Sequence, residues 1–224
     1  MVSKPHFSDE VRYLPWVGDE YEHQSVRWLI LGESNYEVEV HERDAVRDLI
    51  RAQFDESSGI MDNGRYPICR ASERLLHGDI SEVVAIRRFW QRHAYYNYVC
   101  ESMSERAVRP NPKQFRESLP ALNEVLCALR PDVVLVLGIQ LWGALPGERD
   151  GWERGNDIAQ IVMPRYAKRN LNIWTGKAVH GNIQHTFRCF PVAHPASRGF
   201  NAQDWKAWMS AAKSALPLAT VNQE

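Results

Sequence analysis

Two short polar segments of this 224-residue chain carry side chains suited to chemistry, and each follows an apolar run. The first is the Gly-Glu-Ser-Asn-Tyr segment 32–36, directly after residues 26–31. The second is the His-Pro-Ala-Ser-Arg-Gly-Phe segment 194–200, which follows residues 186–192. Together they offer a carboxylate, a hydroxyl, an amide and an imidazole, groups that accept protons, donate hydrogen bonds or orient water. If the fold brings the segments together, they form a site for hydrolytic chemistry.

The residues around these segments predict strands. The apolar runs 26–31 and 133–138 are typical of parallel strands that are buried on both faces. The aromatic run 94–99 and the segments 171–176 and 186–192 predict three further strands. In a parallel sheet, ligands bind beyond the carboxyl ends of the strands, where both polar segments are expected to lie.

Helical spacing and capping signals predict helices between the strands, which indicates an α/β fold with a parallel sheet covered on both faces. Asn111 and Pro112 are a strong helix start, whereas Pro120 is expected to kink or divide the helix that follows. The predicted helices span residues 41–54, 81–92, 111–130, 139–145 and 203–215.

The composition is that of an ordinary globular protein, with 44% apolar and 25% charged residues. No stretch approaches the roughly 20 apolar residues of a membrane span, and the N-terminus lacks the apolar core of a signal peptide. We therefore expect a cytoplasmic protein with no membrane partner. The four cysteines form no CxxC unit and are expected to be buried, apolar residues without disulfides.

Charge is unevenly distributed along the chain. The net charge is −1, yet residues 158–203 contain six basic residues and no acidic one. A basic segment in a mildly acidic protein indicates a phosphate-facing surface, although chance clustering around loops and a buried strand is the alternative.

Five short motifs follow one another along the chain: LILGESNY (29–36), NYV (97–99), VRPNP (108–112), PDVVLVLG (131–138) and HPASRGF (194–200). Motifs in this order resemble those of the uracil-DNA glycosylase superfamily, over residues 26–215. A Leu-Pro-Trp-Val-Gly opening at 14–18 is similar to that of a bacterial branch of the superfamily.

The resemblance implies a three-layer α/β/α sandwich with a central, mainly parallel four-stranded sheet. We expect one domain over residues 1–224, with an N-terminal extension at 1–25, an insert at 37–80 and a disordered tail at 216–224. The implied activity is hydrolysis of the N-glycosidic bond of a base flipped out of DNA, without metal or cofactor. The implied partner is DNA, at the nucleoid, and no obligate protein partner is expected.

The resemblance also assigns roles in the pocket. His194 is expected to donate a hydrogen bond to the departing base from a neutral imidazole. Asn97 is expected to read the base edge, and Tyr36 to contact the base, within a pocket that Gly32 and Ser34 line. The alternatives are a buried structural histidine, an asparagine that ties down the adjacent loop, and a tyrosine that belongs to the core.

Ser34 departs from the superfamily pattern. Other branches have an aspartate or asparagine here to position the attacking water, and serine is a poor substitute. Asn35 or Glu33 is the nearest replacement, and the sequence does not choose between them. Because this first motif differs from the uracil-specific one, it favours a damaged or phage-modified base as the substrate over uracil alone.

The remaining assignments concern the duplex. Ser197 is expected to contact a phosphate, and Arg198 to wedge into the gap left by the flipped nucleotide, a role that Phe200 could share. Arg198 could instead be a plain phosphate contact. Other phosphate contacts are expected from Arg165, Lys168 and Arg169.

Other function classes remain open. A non-catalytic nucleic-acid-binding protein on the same fold is the first alternative, and a hydrolase of free nucleosides or nucleotides is the second. A serine hydrolase is disfavoured because the motif around Ser34 lacks the second glycine of a nucleophile elbow. The acidic segments 18–22 and 33–42 do not by themselves indicate a metal site.

Overall fold

The computed structural model describes residues 5–38, 42–58, 65–105, 108–163, 166–197 and 200–216. Strands and helices are numbered separately, each in chain order. The strands are β1 (Trp16–Val17), β2 (Trp28–Gly32), β3 (Asn35–Tyr36), β4 (Ala94–Asn97), β5 (Ser102–Met103), β6 (Val133–Leu137), β7 (Glu153–Met163), β8 (Tyr166–His180) and β9 (Ile183–Val192). The α-helices are α1 (Ala45–Arg51), α2 (Pro67–Leu76), α3 (Val83–Gln91), α4 (Pro112–Leu129), α5 (Ile139–Ala144) and α6 (Lys206–Ala215). Short 3₁₀ helices span Tyr21–His23, Glu56–Ser58, Glu148–Asp150 and Ala202–Trp205.

The main sheet is mixed and, within the described residues, has seven strands in the order β1-β4-β2-β6-β9-β8-β7. The prediction of a four-stranded sheet is therefore wrong in size. The four central strands, β4, β2, β6 and β9, are mutually parallel, and the strands outside them are antiparallel to their neighbours. The antiparallel strands are added because β7, β8 and β9 follow one another closely in sequence, and such neighbours pair without a crossover helix. A separate two-stranded unit pairs β3 with β5.

Helices pack on both faces of the sheet. Successive residues of β2 point to opposite faces, so Leu29 and Leu31 belong to one core cluster and Ile30 to the other. The first cluster includes residues of α4 and α5, and the second includes residues of α1, α2, α3 and α6. The α/β class predicted from the sequence is confirmed.

Helix α4 begins as its sequence predicts, with the Asn111 side chain accepting hydrogen bonds from the backbone N–H groups of Lys113 and Gln114. The helix then runs unbroken to Leu129, so the expectation that Pro120 divides it is wrong. Pro120 is exposed, and the carbonyl of Arg116 that it leaves without a helical partner is on a residue open to water. The buried side of the helix, which includes Leu122, holds it against the core.

The regions outside the parallel strands also contribute to the core. Phe7, Val11 and Tyr21, in the predicted N-terminal extension, are buried. The predicted insert supplies α1 and α2, whereas residues 217–224 of the predicted tail lie outside the described residues. All four cysteines are buried and free, as predicted. Among the described helices, none is both long and apolar enough to cross a membrane.

Candidate active site

Polar residues converge at one edge of the sheet because the four parallel strands end there. Gly32, at the end of β2, is in register with Asn97, at the end of β4. On the other side of β2, β6 ends at Leu137, and β9 ends at Val192 beside it. Neighbouring strands lie about 4.8 Å apart, so the ends of β2 and β9 are roughly 10 Å from each other. The two polar segments found in the sequence therefore border the same edge.

The segment after β2 is unusually polar for its burial. Glu33, Ser34 and Asn35 have exposed fractions of only 7%, 6% and 6%. The backbone holds this segment, because the N–H of Val99 donates to the carbonyl of Glu33 and β3 pairs with β5. Tyr36, at the end of β3, is half-buried and packs against the core, and its contact with a base stays a prediction.

A chain of buried hydrogen bonds joins the end of β4 to β3. The Tyr95 hydroxyl donates to Oδ1 of Asn97 over 2.9 Å, and Nδ2 of Asn97 donates to Oδ1 of Asn35 over 2.8 Å. This arrangement requires Gly32, because a Cβ there would lie 2.1 Å from Oδ1 of Asn97. Asn97 thus ties down the adjacent segment, which was the alternative to base reading. One Nδ2 hydrogen and one Oδ1 lone pair of Asn97 remain for a ligand.

Two buried polar atoms in this segment have no hydrogen-bond partner among the described residues. They are Oγ of Ser34 and Nδ2 of Asn35. Leaving a buried donor unpaired costs about 1–3 kcal/mol, so native proteins rarely do so without a bound water, a ligand or an ion to satisfy it. The Asn35 amide is oriented by its bond from Asn97, so its N–H groups are among the donors available at this edge.

Glu33 forms an ion pair with Arg109, a residue that sequence reasoning missed. Burial raises the pKa of the Glu33 carboxyl, and the Arg109 guanidinium opposes that rise. Arg109 lies between β5 and α4, and its side chain is 47% exposed. An arginine inside the Val-Arg-Pro-Asn-Pro segment was the available signal, since that segment ends at the start of a helix at the same edge.

His194 follows β9, and its ring has a defined hydrogen-bonding state. Its Nδ1 accepts a hydrogen bond from the backbone N–H of Ala196 over 3.1 Å. A neutral imidazole that accepts at Nδ1 carries its hydrogen on Nε2, which is then a donor. Burial lowers the pKa of His194, and the positive charge of Arg109 lowers it further. The neutral form is therefore favoured at neutral pH.

Gly138 keeps the space between β2 and β9 open. It follows β6 with a φ of 136°, a conformation that favours glycine. A Cβ at this position would lie 3.7 Å from Cβ of His194. The strand end that separates Glu33 from His194 thus carries no side chain.

The rest of the 194–200 segment is only partly described. The Ser197 hydroxyl donates to the carbonyl of His194 over 2.5 Å, which stabilises the turn, and its side chain is exposed. Phe200 is half-buried and packs against the second core cluster. Arg198, the predicted wedge, lies outside the described residues.

The predicted phosphate-contacting residues of β8 extend beyond the same sheet edge. Trp174 is in register with Cys189, and β9 ends three residues later at Val192. The residues of β8 before Leu171 therefore lie past the end of β9, and Lys168 and Arg169 are among them, both exposed. Arg165 lies outside the described residues.

The arrangement offers a hydrogen-bond donor on His194, an unpaired amide donor on Asn35 and a buried carboxylate on Glu33. These groups can bind a polar, planar ligand and orient water beside it. Among the described residues, no group of three or more histidines, cysteines or acidic side chains could hold a metal ion. No protein-family model matches the sequence, and a search of curated proteins also finds no match.

Proposed function

We propose that this protein is a monofunctional DNA glycosylase with a uracil-DNA-glycosylase-like fold. The main observation in support is the unpaired, buried amide donor of Asn35, which Asn97 holds at the same sheet edge as the His194 ring. Nucleobases present carbonyl acceptors on their edges, and an enzyme reads a flipped base by hydrogen bonds to that edge. A buried donor that lacks a protein acceptor fits such a ligand.

In the proposed reaction the bond between C1′ of the sugar and the base nitrogen breaks, and its electron pair stays with the base. The negative charge develops on the base, where Nε2–H of His194 donates a hydrogen bond to a carbonyl oxygen. A donor oriented in advance stabilises this charge without reorganising in the transition state. The depressed pKa of His194 supports this role, since a neutral ring with a fixed tautomer is required.

Glu33 is the better of the two candidates for positioning the water. Asn35 already accepts the Asn97 hydrogen bond through its Oδ1, and its remaining groups are chiefly donors. A carboxylate can accept a hydrogen bond from water and then take the proton that the water loses as it bonds to C1′. The raised pKa of Glu33 favours that proton transfer.

The duplex is proposed to bind across the same edge. Lys168 and Arg169 extend past the end of β9, where they can contact phosphates. Ser197 and Arg198 keep their proposed roles as phosphate contact and wedge. Phe200 packs on the core, which favours a supporting role for it over insertion into the duplex.

The proposed target is a base changed by damage or by phage modification, in repair or in antiviral defence. Ser34 stands where an aspartate orients water in the best-known branch, and its hydroxyl has no partner in the described structure. A pocket with this additional hydroxyl can hydrogen-bond a substituent that uracil lacks.

The test is incubation of the protein with duplexes that carry uracil, hypoxanthine, xanthine, 5-hydroxymethylcytosine or glucosylated cytosine. Excision is scored by alkali-labile abasic sites, with His194→Ala as the matched control. We expect at least one duplex to be cut by the wild type and cut far more slowly by the variant. DNA binding without excision from any duplex would favour a non-catalytic nucleic-acid-binding protein. Release of bases from free nucleosides would favour a hydrolase of nucleosides or nucleotides.

A further inference from the structure

A second concave surface lies beside the candidate active site. It is a groove of about 830 Å³ between α2 and the segment from the 3₁₀ helix Ala202–Trp205 through α6. Pro195 and Phe200 form part of its wall, so the groove begins next to His194. From there it extends between the two helices as far as Lys213 and Asp79. The Glu33–Arg109 pair is not part of it.

The charges that line this groove are predominantly positive. Four basic side chains line it, Arg70 and Arg74 from α2 and Lys206 and Lys213 from α6, against one acidic residue, Asp79. Arg74 pairs with Asp79, which neutralises both.

The other three basic side chains differ in the hydrogen bonds and ion pairs that they form. Lys213 donates to the carbonyl of Leu76 over 3.1 Å. Arg70 and Lys206 are exposed and form no ion pair within the described part of the chain, although the charge of Arg70 acts on the buried Glu73. Two exposed cations without an ion-pair partner on facing helices point to an anionic occupant.

The shape of the groove distinguishes an extended polyanion from a small anion. Helix α2 has ten residues and is about 15 Å long, which corresponds to roughly four nucleotide steps of 3.4 Å. Small-ligand sites enclose most of their ligand, whereas the free cations here are on exposed side chains. Exposed cations on a long groove match the backbone of a nucleic acid strand, which binds largely by counterion release.

We propose that this groove binds the phosphodiester backbone of DNA on one side of the flipped nucleotide, through Arg70 and Lys206. The inference rests on the proposed function in that it takes DNA as the substrate. It adds a second track of phosphate contacts, distinct from Lys168 and Arg169 on β8. The helix α2 that supplies Arg70 belongs to the insert between the two halves of the site. The insert then serves substrate binding, in addition to its part in the core.

The experiment compares Arg70→Glu/Lys206→Glu with Arg149→Glu/Lys177→Glu, which changes the net charge equally. Lys177 of β8 is in strand register with Thr186, near the start of β9. A Cβ on Gly151, which is close in sequence to Arg149, would contact Lys177. Both control charges therefore lie toward the opposite edge of the sheet. Binding of a fluorescein-labelled duplex is measured by anisotropy over a range of salt concentrations. Excision is measured separately on the substrate panel.

We expect the groove variant to lose at least tenfold in affinity at about 0.1 M salt, and its salt slope to fall by about 1.8, or 0.9 for each lost contact. The control should keep both values. Equal losses in the two variants, or none in the groove variant, overturn the proposal. Pyrophosphate that binds the wild type but not the groove variant, and that fails to displace DNA at fixed ionic strength, also overturns it, because the groove is then a small-anion site that DNA does not occupy.

The two proposals fail separately. Groove-dependent binding without excision from any duplex supports the groove and removes the glycosylase. Excision by the wild type with unchanged DNA binding by the groove variant supports the glycosylase and refutes the groove. Arg70→Gln/Lys206→Gln covers the case in which charge reversal unfolds the protein, since both side chains are exposed and the neutral change should leave the urea midpoint unaltered. It should lower the salt slope by the same amount, and an unchanged slope refutes the groove.

Discussion

Replacing Gly32 with alanine tests the packing at the end of β2. The added Cβ would lie 2.1 Å from Oδ1 of Asn97 and 2.6 Å from the hydroxyl of Tyr95. Since Cβ contacts under 3.0 Å are essentially never seen, the Asn97 amide must move by about 0.9 Å. That displacement disrupts the two hydrogen bonds in which Asn97 takes part, from Tyr95 and to Asn35.

The expected cost follows from those bonds. Each contributes about 1 kcal/mol net, and a buried polar atom left unpaired costs about 1–3 kcal/mol. We therefore expect Gly32→Ala to lower the free energy of unfolding by about 2–4 kcal/mol. With a urea dependence of about 2 kcal/mol/M, the unfolding midpoint falls by about 1–2 M. Domains typically have about 5–15 kcal/mol of stability, so the variant remains folded without denaturant.

The measurement is urea unfolding followed by tryptophan fluorescence, with Gly143→Ala as the matched control. A Cβ at Gly143, inside α5, meets nothing within 4 Å. Alanine there should be neutral or stabilise the helix by up to about 1 kcal/mol. Equal midpoints for wild type and Gly32→Ala would refute the contact between Gly32 and Asn97.

A second readout of the same variant addresses function. A misplacement of about 1 Å near the reacting groups lowers a catalysed rate by about a hundredfold. The single-turnover excision rate of folded Gly32→Ala should fall by that order. A destabilised variant with a normal excision rate would exclude Asn97 and Asn35 from the pocket.

Three further outcomes are expected. His194→Ala should lower the single-turnover excision rate by about two to three powers of ten with little change in duplex affinity; a near-normal rate removes the histidine from the mechanism. Arg109→Gln removes a positive charge that lowers the pKa of both His194 and Glu33, so both pKa values should rise. The acid limb of the pH–rate profile should then move to higher pH. An unmoved limb would contradict the electrostatic effect of Arg109 on these two residues. Lys168→Glu/Arg169→Glu should reduce the salt slope of duplex binding by about 1.8, and an unchanged slope would show that the end of β8 does not contact phosphates.

The sequence was sufficient to predict the parallel core and the edge at which the polar segments meet. Apolar runs such as that of β6, buried along its whole length, leave few alternatives to a central strand. The glycine at the end of β2 and the polar residues after it were predicted to lie at the sheet edge because they directly follow such an apolar run. The roles assigned to those residues in a reaction stay predictions.

Of the outer strands, β7 and the part of β8 before Leu171 were not predicted, because their sequences do not show the expected alternation. Strand β7 is largely exposed from Glu153 to Asp157, and its pairing with β8 contains register shifts. The charged part of β8 near Lys168 owes its strand conformation to β7, and such pairing partners are not visible in a local pattern. Arg109 was missed similarly, because its partner Glu33 is distant in sequence and only the fold makes them neighbours.

The strand order also has a consequence for how the chain folds during synthesis. Strand β2 ends at Gly32, yet its two neighbours begin at Ala94 and Val133, so its apolar residues stay unpaired while most of the chain is made. Strands β7, β8 and β9 instead pair with immediate sequence neighbours and need little loop closure. We expect the C-terminal hairpins to form as soon as they are made, whereas the parallel core must wait for strands that are distant in sequence. A ribosome-bound fragment that ends before β6 would then expose the Trp-Leu-Ile-Leu run of β2 to chaperones, and pairing of β2 with β6 would be the step that encloses it.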